Sequence, residues 1–284
     1  MKNILTMGVI LLLIVGGYFI FWHSDSEENN ENTDVTDEEM RAVSGRVTDV
    51  NLDQIAFDGP GMITIVDAAG DEYKIAVPSM GILLCAANER ITSPWDIAMG
   101  DTVTVLGDRN ENGEIVPCES AEHFLEVTTE YTDEETSYQF EYRKGPNGYV
   151  LEENQSEENE LFISGVTLFN KAEYDEFQAS DEAREGPASI SVRVYENTEL
   201  SSASIWTMNH EVETNSNLAT NEPEEEVVGG ANAVRFTADG LWPIDTYVVA
   251  HDSKMYVIAA MLPDGLDARE DDFEDIVESF EFVQ

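Results

Sequence analysis

Residues 4–22, ILTMGVILLLIVGGYFIFW, form an unbroken run of 19 apolar or small positions, and a helix that is apolar on every side needs a lipid or a large protein interior around it. As a helix the run measures about 28 Å against a hydrocarbon core of about 30 Å, so it can span a bilayer. It ends in Tyr18, Phe19, Phe21 and Trp22, aromatics that suit a membrane interface and not the small-residue exit of a signal-peptidase site. Residues 1–22 therefore read as a retained membrane anchor, with a cleaved export signal as the alternative. The first cysteine is Cys85, too far downstream for a lipoprotein-type attachment. Only Lys2 precedes the run while acidic residues crowd after it, so the positive-inside rule leaves the N-terminus in the cytoplasm and the C-terminal ectodomain outside the cell membrane. Under both readings everything after the run is exported.

The charge of the exported part is the next constraint. Against 59 Asp plus Glu the chain has 14 Lys plus Arg, a formal net charge of −45, and self-repulsion of that size destabilises a compact state unless salt or bound cations screen it. Five of the basic residues are lysine, which fits saline surroundings; an ordinary soluble acidic surface is the simpler alternative. Nucleic acids and anionic lipid surfaces are poor partners, since both require basic patches. Residues 23–40 are highly charged with almost no apolar content, and are expected to be a disordered acidic spacer.

From residue 41 to 127 the sequence consists of short alternating or β-branched runs, SGRVTDV, ITIVDAAGDEYKIAV, DTVTVLGD and GEIVPC, separated by turn signals. Hairpins are expected around Ala69-Gly70-Asp71 and Asn112-Gly113, where glycine or asparagine supplies positive φ. Five or so short strands in under 90 residues favour a small OB-like β-barrel. A polar stretch at 128–136 reads as a linker. Residues 137–284 then mix strands (SYQFEY, LFISGVTLF, ASISVRVYE, ANAVRFTA, IDTYVVA, KMYVIAAML) with helices at 202–210 and 267–279. The last helix opens on acidic residues and places Phe273, Ile276, Val277 and Phe280 at spacings of three and four, an apolar stripe meant to lie on a sheet. The fold class is α+β.

The close of the chain, strand, tight turn, strand and then F-x-x-I-x-x-S-F-x-F at Phe273, Ile276, Ser279, Phe280 and Phe282, resembles the PsbP-like family, named for the extrinsic photosystem II protein. The opening SYQFEY, the strand before a Trp206-containing helix and the glycine-led GGANAVRF follow the family's order. The resemblance covers roughly residues 137–284 and implies an antiparallel sheet flanked by helices, without an implied reaction. The acidic stretch 171–186, expected to be helical, exceeds that pattern.

Two cysteines in an exported chain read as a Cys85–Cys118 disulfide; the alternative, a redox or metal-binding pair, has neither C-x-x-C spacing nor paired histidines to support it. Asp108, Asn110, Asn112, Glu114 and Glu119 satisfy the calcium-loop pattern D-x-[DN]-x-[DN]-G-x5-E, in which alternate oxygens converge, Gly113 permits the reversal and a distal glutamate returns. The competing reading is a plain Asn-Gly hairpin, because a strand precedes the loop and Pro117 follows it. The histidines, His23, His123, His210 and His251, show no metal-binding or catalytic spacing, and the serines lack a nucleophile elbow. The expectation is a membrane-anchored, outward-facing envelope protein that binds a protein, a polysaccharide or calcium without catalysis. The alternative is an exported hydrolase whose site is assembled from scattered residues.

Overall fold

Alternation builds the first half of the molecule. Strands β1 (Val43–Asn51), β2 (Gly61–Val66) and β3 (Glu72–Val77) form an antiparallel meander, and in β2 every second residue, Gly61, Ile63 and Ile65, is buried. Residues 82–101 then cross one end of these strands in three short 3-10 turns, Ile82–Leu84, Asn88–Arg90 and Pro94–Asp96. Strand β4 (Thr102–Leu106) returns beside β1, and β5 (Asp108–Arg109) pairs with β6 (Ile115–Val116), which runs parallel to β3. Because only Gly107 separates β4 from β5, the sheet curls back on itself. A Cβ at Gly107 would lie 2.6 Å from the Val116 carbonyl oxygen, so the corner requires glycine. Val47, Ile63, Ile65, Ile75, Val103 and Val127 form one buried cluster inside the curl.

The computed structural model describes residues 41–78, 82–154, 159–180, 186–263 and 267–283. The expected anchor at 1–22 and spacer at 23–40 lie outside the described residues. Among the described residues no helix is long and apolar enough to cross a membrane.

The stretch 128–136 is not a linker. It is the second half of a ten-residue strand, β7 (Phe124–Asp133), and the turn after it. The first half of β7 pairs with β4 in the barrel and the second half with β8 (Tyr138–Lys144). The polar residues there, Thr128, Thr129, Glu130 and Thr132, are exposed or half-buried; a strand with one wet face reads like a loop when its burial is unknown. Residues from Met40 onward consequently form a single compact unit.

The remaining strands form a seven-stranded antiparallel sheet. Along the chain come β9 (Tyr149–Asn154), β10 (Phe162–Asn170), helix α1 (Lys171–Gln178), β11 (Ser189–Glu196), helices α2 (Ala203–Asn209) and α3 (Glu211–Thr214), β12 (Glu224–Val228), β13 (Ala231–Asp239), β14 (Pro243–His251), β15 (Lys254–Met261), helix α4 (Asp267–Ser279) and the short β16 (Glu281–Phe282). The sheet order is β12-β13-β14-β15-β11-β10-β9, and β16 adds to β8 outside it. The near-continuous apolar runs of β14 and β15 follow from burial on both faces. Tyr247, Val249, Tyr256 and Ile258 point to the side covered by β8 and α4. Val248, Met255 and Val257 point to the side covered by Trp206 of α2. Phe273, Ile276 and Phe280, the expected stripe of α4, are each about 1% exposed. Of the acidic stretch 171–186, Lys171–Gln178 is helical, capped by the Asn170 side chain, and 181–185 lie outside the described residues.

Candidate functional site

The calcium-loop pattern folds as the β5–β6 hairpin. Asn110 Oδ1 accepts from the backbone amides of Asn112 (2.9 Å) and Glu114 (3.0 Å), and its Nδ2 donates to Glu114 Oε2 at 2.7 Å. Gly113 has φ +80°, and the Arg109 guanidinium donates to its carbonyl. A cation would need these oxygens, yet they already accept N–H groups, and an amide donor faces the Glu114 carboxylate. Asp108 turns toward His123, Oδ2 lying 3.8 Å from the buried Nε2, too far for a hydrogen bond. Among the described residues no group of three or more His, Cys, Asp or Glu side chains could hold a metal ion. The residues therefore do not fit calcium as arranged, and Asp108, Glu114 and Glu119 do not converge. Local backbone hydrogen bonding takes the oxygens that the spacing offered.

Cys85 and Cys118 are bonded, with Cα atoms 4.7 Å apart. The bond ties the loop crossing the barrel end to the segment following β6. Two of the histidines stack on aromatic rings: His210 on Trp206 with ring centroids 4.3 Å apart, and His251 on Phe282 at 3.8 Å; His23 lies outside the described residues. Trp242 lines an apolar hollow of about 400 Å³ with Phe169, Pro187, Ile244 and Met261.

One of several polar clefts among the described residues lies where β7 and β8 meet α4. Its volume is about 380 Å³, and Thr128, Glu141, Tyr142, Asp275, Glu278 and Ser279 line it around a half-buried ion pair. In that pair Arg143 Nη2 donates to Asp272 Oδ1 at 2.5 Å, while Tyr149 Oη donates to Oδ2 at 2.9 Å. Burial pushes the Asp272 carboxyl above its usual range, opposed by the Arg143 charge and the Tyr149 hydroxyl. The raised Tyr149 value has burial as its main cause and the Asp272 charge as its second. Both oxygens of Asp272 are thus occupied by side chains of the protein itself. Ser279 is equally committed: it donates to the Ile276 carbonyl and accepts the Glu141 amide at 3.0 Å, locking α4 to β8. This cluster was not visible in the sequence, since Arg143 and Asp272 are 129 positions apart and resemble any other pair in a chain with 59 acidic residues.

A second feature is apolar. Phe57, Leu83, Leu84 and Trp95 are 87%, 84%, 90% and 65% exposed, and all four project from turns at one end of the barrel. That end is marked by the Gly61–Val77 pair: the 53–57 turn enters Gly61, and the 82–84 turn follows Val77. A Cβ at Gly61 would lie 2.8 Å from Pro94 and 3.2 Å from Leu52, so the turns carrying Phe57 and Trp95 sit side by side.

No family model matches the chain. None of the curated proteins matches it. Among solved structures it is similar to the solution structure of cyanobacterial PsbP (CyanoP) from Synechocystis sp. PCC 6803, with 15% identity and a TM-score of 0.38 over 55% of this chain and 92% of that one. A crystal structure from Bacteroides thetaiotaomicron VPI-5482 is similar at 8% identity, with a TM-score of 0.31 over 55% of this chain and 48% of that one.

Proposed function

We propose that the protein is a membrane-tethered, extracytoplasmic binding module without a reaction of its own, anchored through residues 4–22. The observation that carries this reading is the state of the cleft. Its one buried carboxylate, Asp272, is held by Arg143 and Tyr149 at both oxygens, an arrangement that fixes structure and commits that group to partners within the protein. The rim carboxylates Glu141, Asp275 and Glu278 accept hydrogen bonds from hydroxyl-rich or cationic groups, which suits an envelope polysaccharide or a basic protein segment. In this reading the barrel is OB-like, supported by the β1–β2–β3 meander, the β1–β4 pairing and the parallel β3–β6 pairing. The C-terminal sheet is PsbP-like, supported by the core positions of Phe273, Ile276 and Phe280.

The test mixes the protein separately with isolated envelope polysaccharide and envelope protein. The parent should bind one of them with no product released, and the variant Glu141→Gln/Asp275→Asn/Glu278→Gln should lose that binding. Release of sugar or peptide fragments would replace this reading with that of a hydrolase.

A further inference from the structure

We propose that the barrel end carrying Phe57, Leu83, Leu84 and Trp95 inserts shallowly into the outer interface of the lipid bilayer. This rests on the reading of residues 4–22 as an anchor in that bilayer. Four large apolar side chains at least 65% exposed are carried on the turns that follow β1 and β3 and precede β4, at the end marked by the Gly61–Val77 pair. Exposed apolar side chains of this size mark a contact with a membrane or another protein, and an anchor in the bilayer would keep the membrane within constant reach. Tryptophan, phenylalanine and leucine are also the residues that favour the headgroup boundary.

Charge distribution agrees. In a chain of net charge −45, residues 78–100 contain only Glu89 and Asp96 as acids, together with Arg90. Residues 78–88 carry no acid, whereas Asp53 and Asp58 flank Phe57 and Asp96 follows Trp95, so approach to lipid is least opposed at the Leu83–Leu84 turn. Reach agrees as well. Twenty residues, 23–42, separate Trp22 from Val43, and they span at most roughly 70 Å. Strand β1 carries the chain from Val43 about 30 Å to the projecting end, inside that limit. Contact made near its own anchor benefits from a high effective concentration, so a weak apolar interaction suffices. The contact is apolar in origin and should not weaken when salt is raised.

The experiment uses the full chain. Both native cysteines are in the disulfide and none is free, so Leu83→Cys provides a single thiol for an environment-sensitive fluorophore, with Glu130→Cys on β7 as control. Protein reconstituted in phosphatidylcholine vesicles is washed at alkaline pH and floated, which tests the anchor independently of the label. The expected result is flotation, with the label at 83 blue-shifted and quenched by lipids brominated near the headgroup, and the label at 130 unchanged. Adding Phe57→Ser, Leu84→Ser and Trp95→Ser should abolish the response at 83. Flotation with a water-exposed label at 83 overturns the insertion and leaves the anchor standing. If the washed chain does not float, the anchor reading fails; vesicles are then added to the free protein, where a shift at 83 sustains the insertion and its absence overturns it. A shift without vesicles that grows with protein concentration assigns the surface to a second copy and likewise overturns the proposal.

Discussion

Asp272 shows how one residue can be decided by partners remote in sequence. Its carboxyl is raised mainly by burial while Arg143 and Tyr149 hold the ionised form, so the balance depends on both partners being present. Arg143→Ala leaves a buried charge with one hydrogen bond and should cost about 2 kcal/mol, reduced from the fully buried case because the Arg143 side chain is 33% exposed. Asp272→Asn removes the charge and keeps an acceptor for Tyr149, and should cost less than half as much; urea unfolding of both variants checks the order. The sign with pH follows from the same balance. A carboxyl whose folded value is raised contributes stability below its ordinary titration range, and loses that contribution as pH rises through the folded value. Asn110 gives the opposite lesson, since its local amides take the oxygen that a metal would need. At matched ionic strength calcium and sodium chloride should raise the melting temperature equally, in the parent and in Asp108→Ala/Glu119→Ala alike. A calcium-specific gain lost in the variant would restore the metal site.

At the scale of elements, the seven-stranded sheet is stabilised from two sides. Trp206 covers one face from a helix of only seven residues, too short to be stable alone. Its indole, 3% exposed, packs with Tyr195 and His210. Trp206→Ala should cost about 3–5 kcal/mol and free α2 and α3 to exchange their amides faster, while β8 and α4 on the other face stay protected. Equal loss of protection on both faces would show that the helices are not independently docked. Strands β12 and β9 form the edges of this sheet, and β12 carries Glu224, Glu225 and Glu226 there. Charge on an edge discourages pairing with other chains, and it also conceals the strand from any reading based on apolar alternation.

For the whole molecule, β7 is the decisive element, because it belongs to the barrel and to the C-terminal body at once. Unfolding should therefore be a single transition in which probes in the barrel and in the sheet change together. Two separated transitions would mean that the halves are only strung together. The net charge of −45 acts on that transition as a unit. Added salt should raise the melting temperature, and lowering the pH from 7 toward 5 should do the same, because partial protonation of surface carboxylates reduces repulsion in the compact state more than in the expanded one. A melting temperature unchanged by salt would show that the charges are spaced too widely to limit stability.

By itself the sequence determined what depends on near neighbours and on composition. Alternation placed β1 to β4, continuous β-branched runs placed β14 and β15, a spacing of three and four gave the buried stripe of α4, and the count of two cysteines pointed to Cys85–Cys118. Each of these is a local pattern with one dominant physical cause. Only the tertiary structure decided that Thr128–Asp133 is a strand and not a linker, since one of its faces is wet and its pairing with β8 continues a strand whose first half lies against β4. It alone joined Arg143 to Asp272 and Tyr149, gathered Phe57, Leu83 and Trp95 at one barrel end, and closed Asn110 around its own hairpin. Those outcomes depend on which distant segments are brought together and on how local hydrogen bonds compete for the same oxygens, and neither is encoded in spacing.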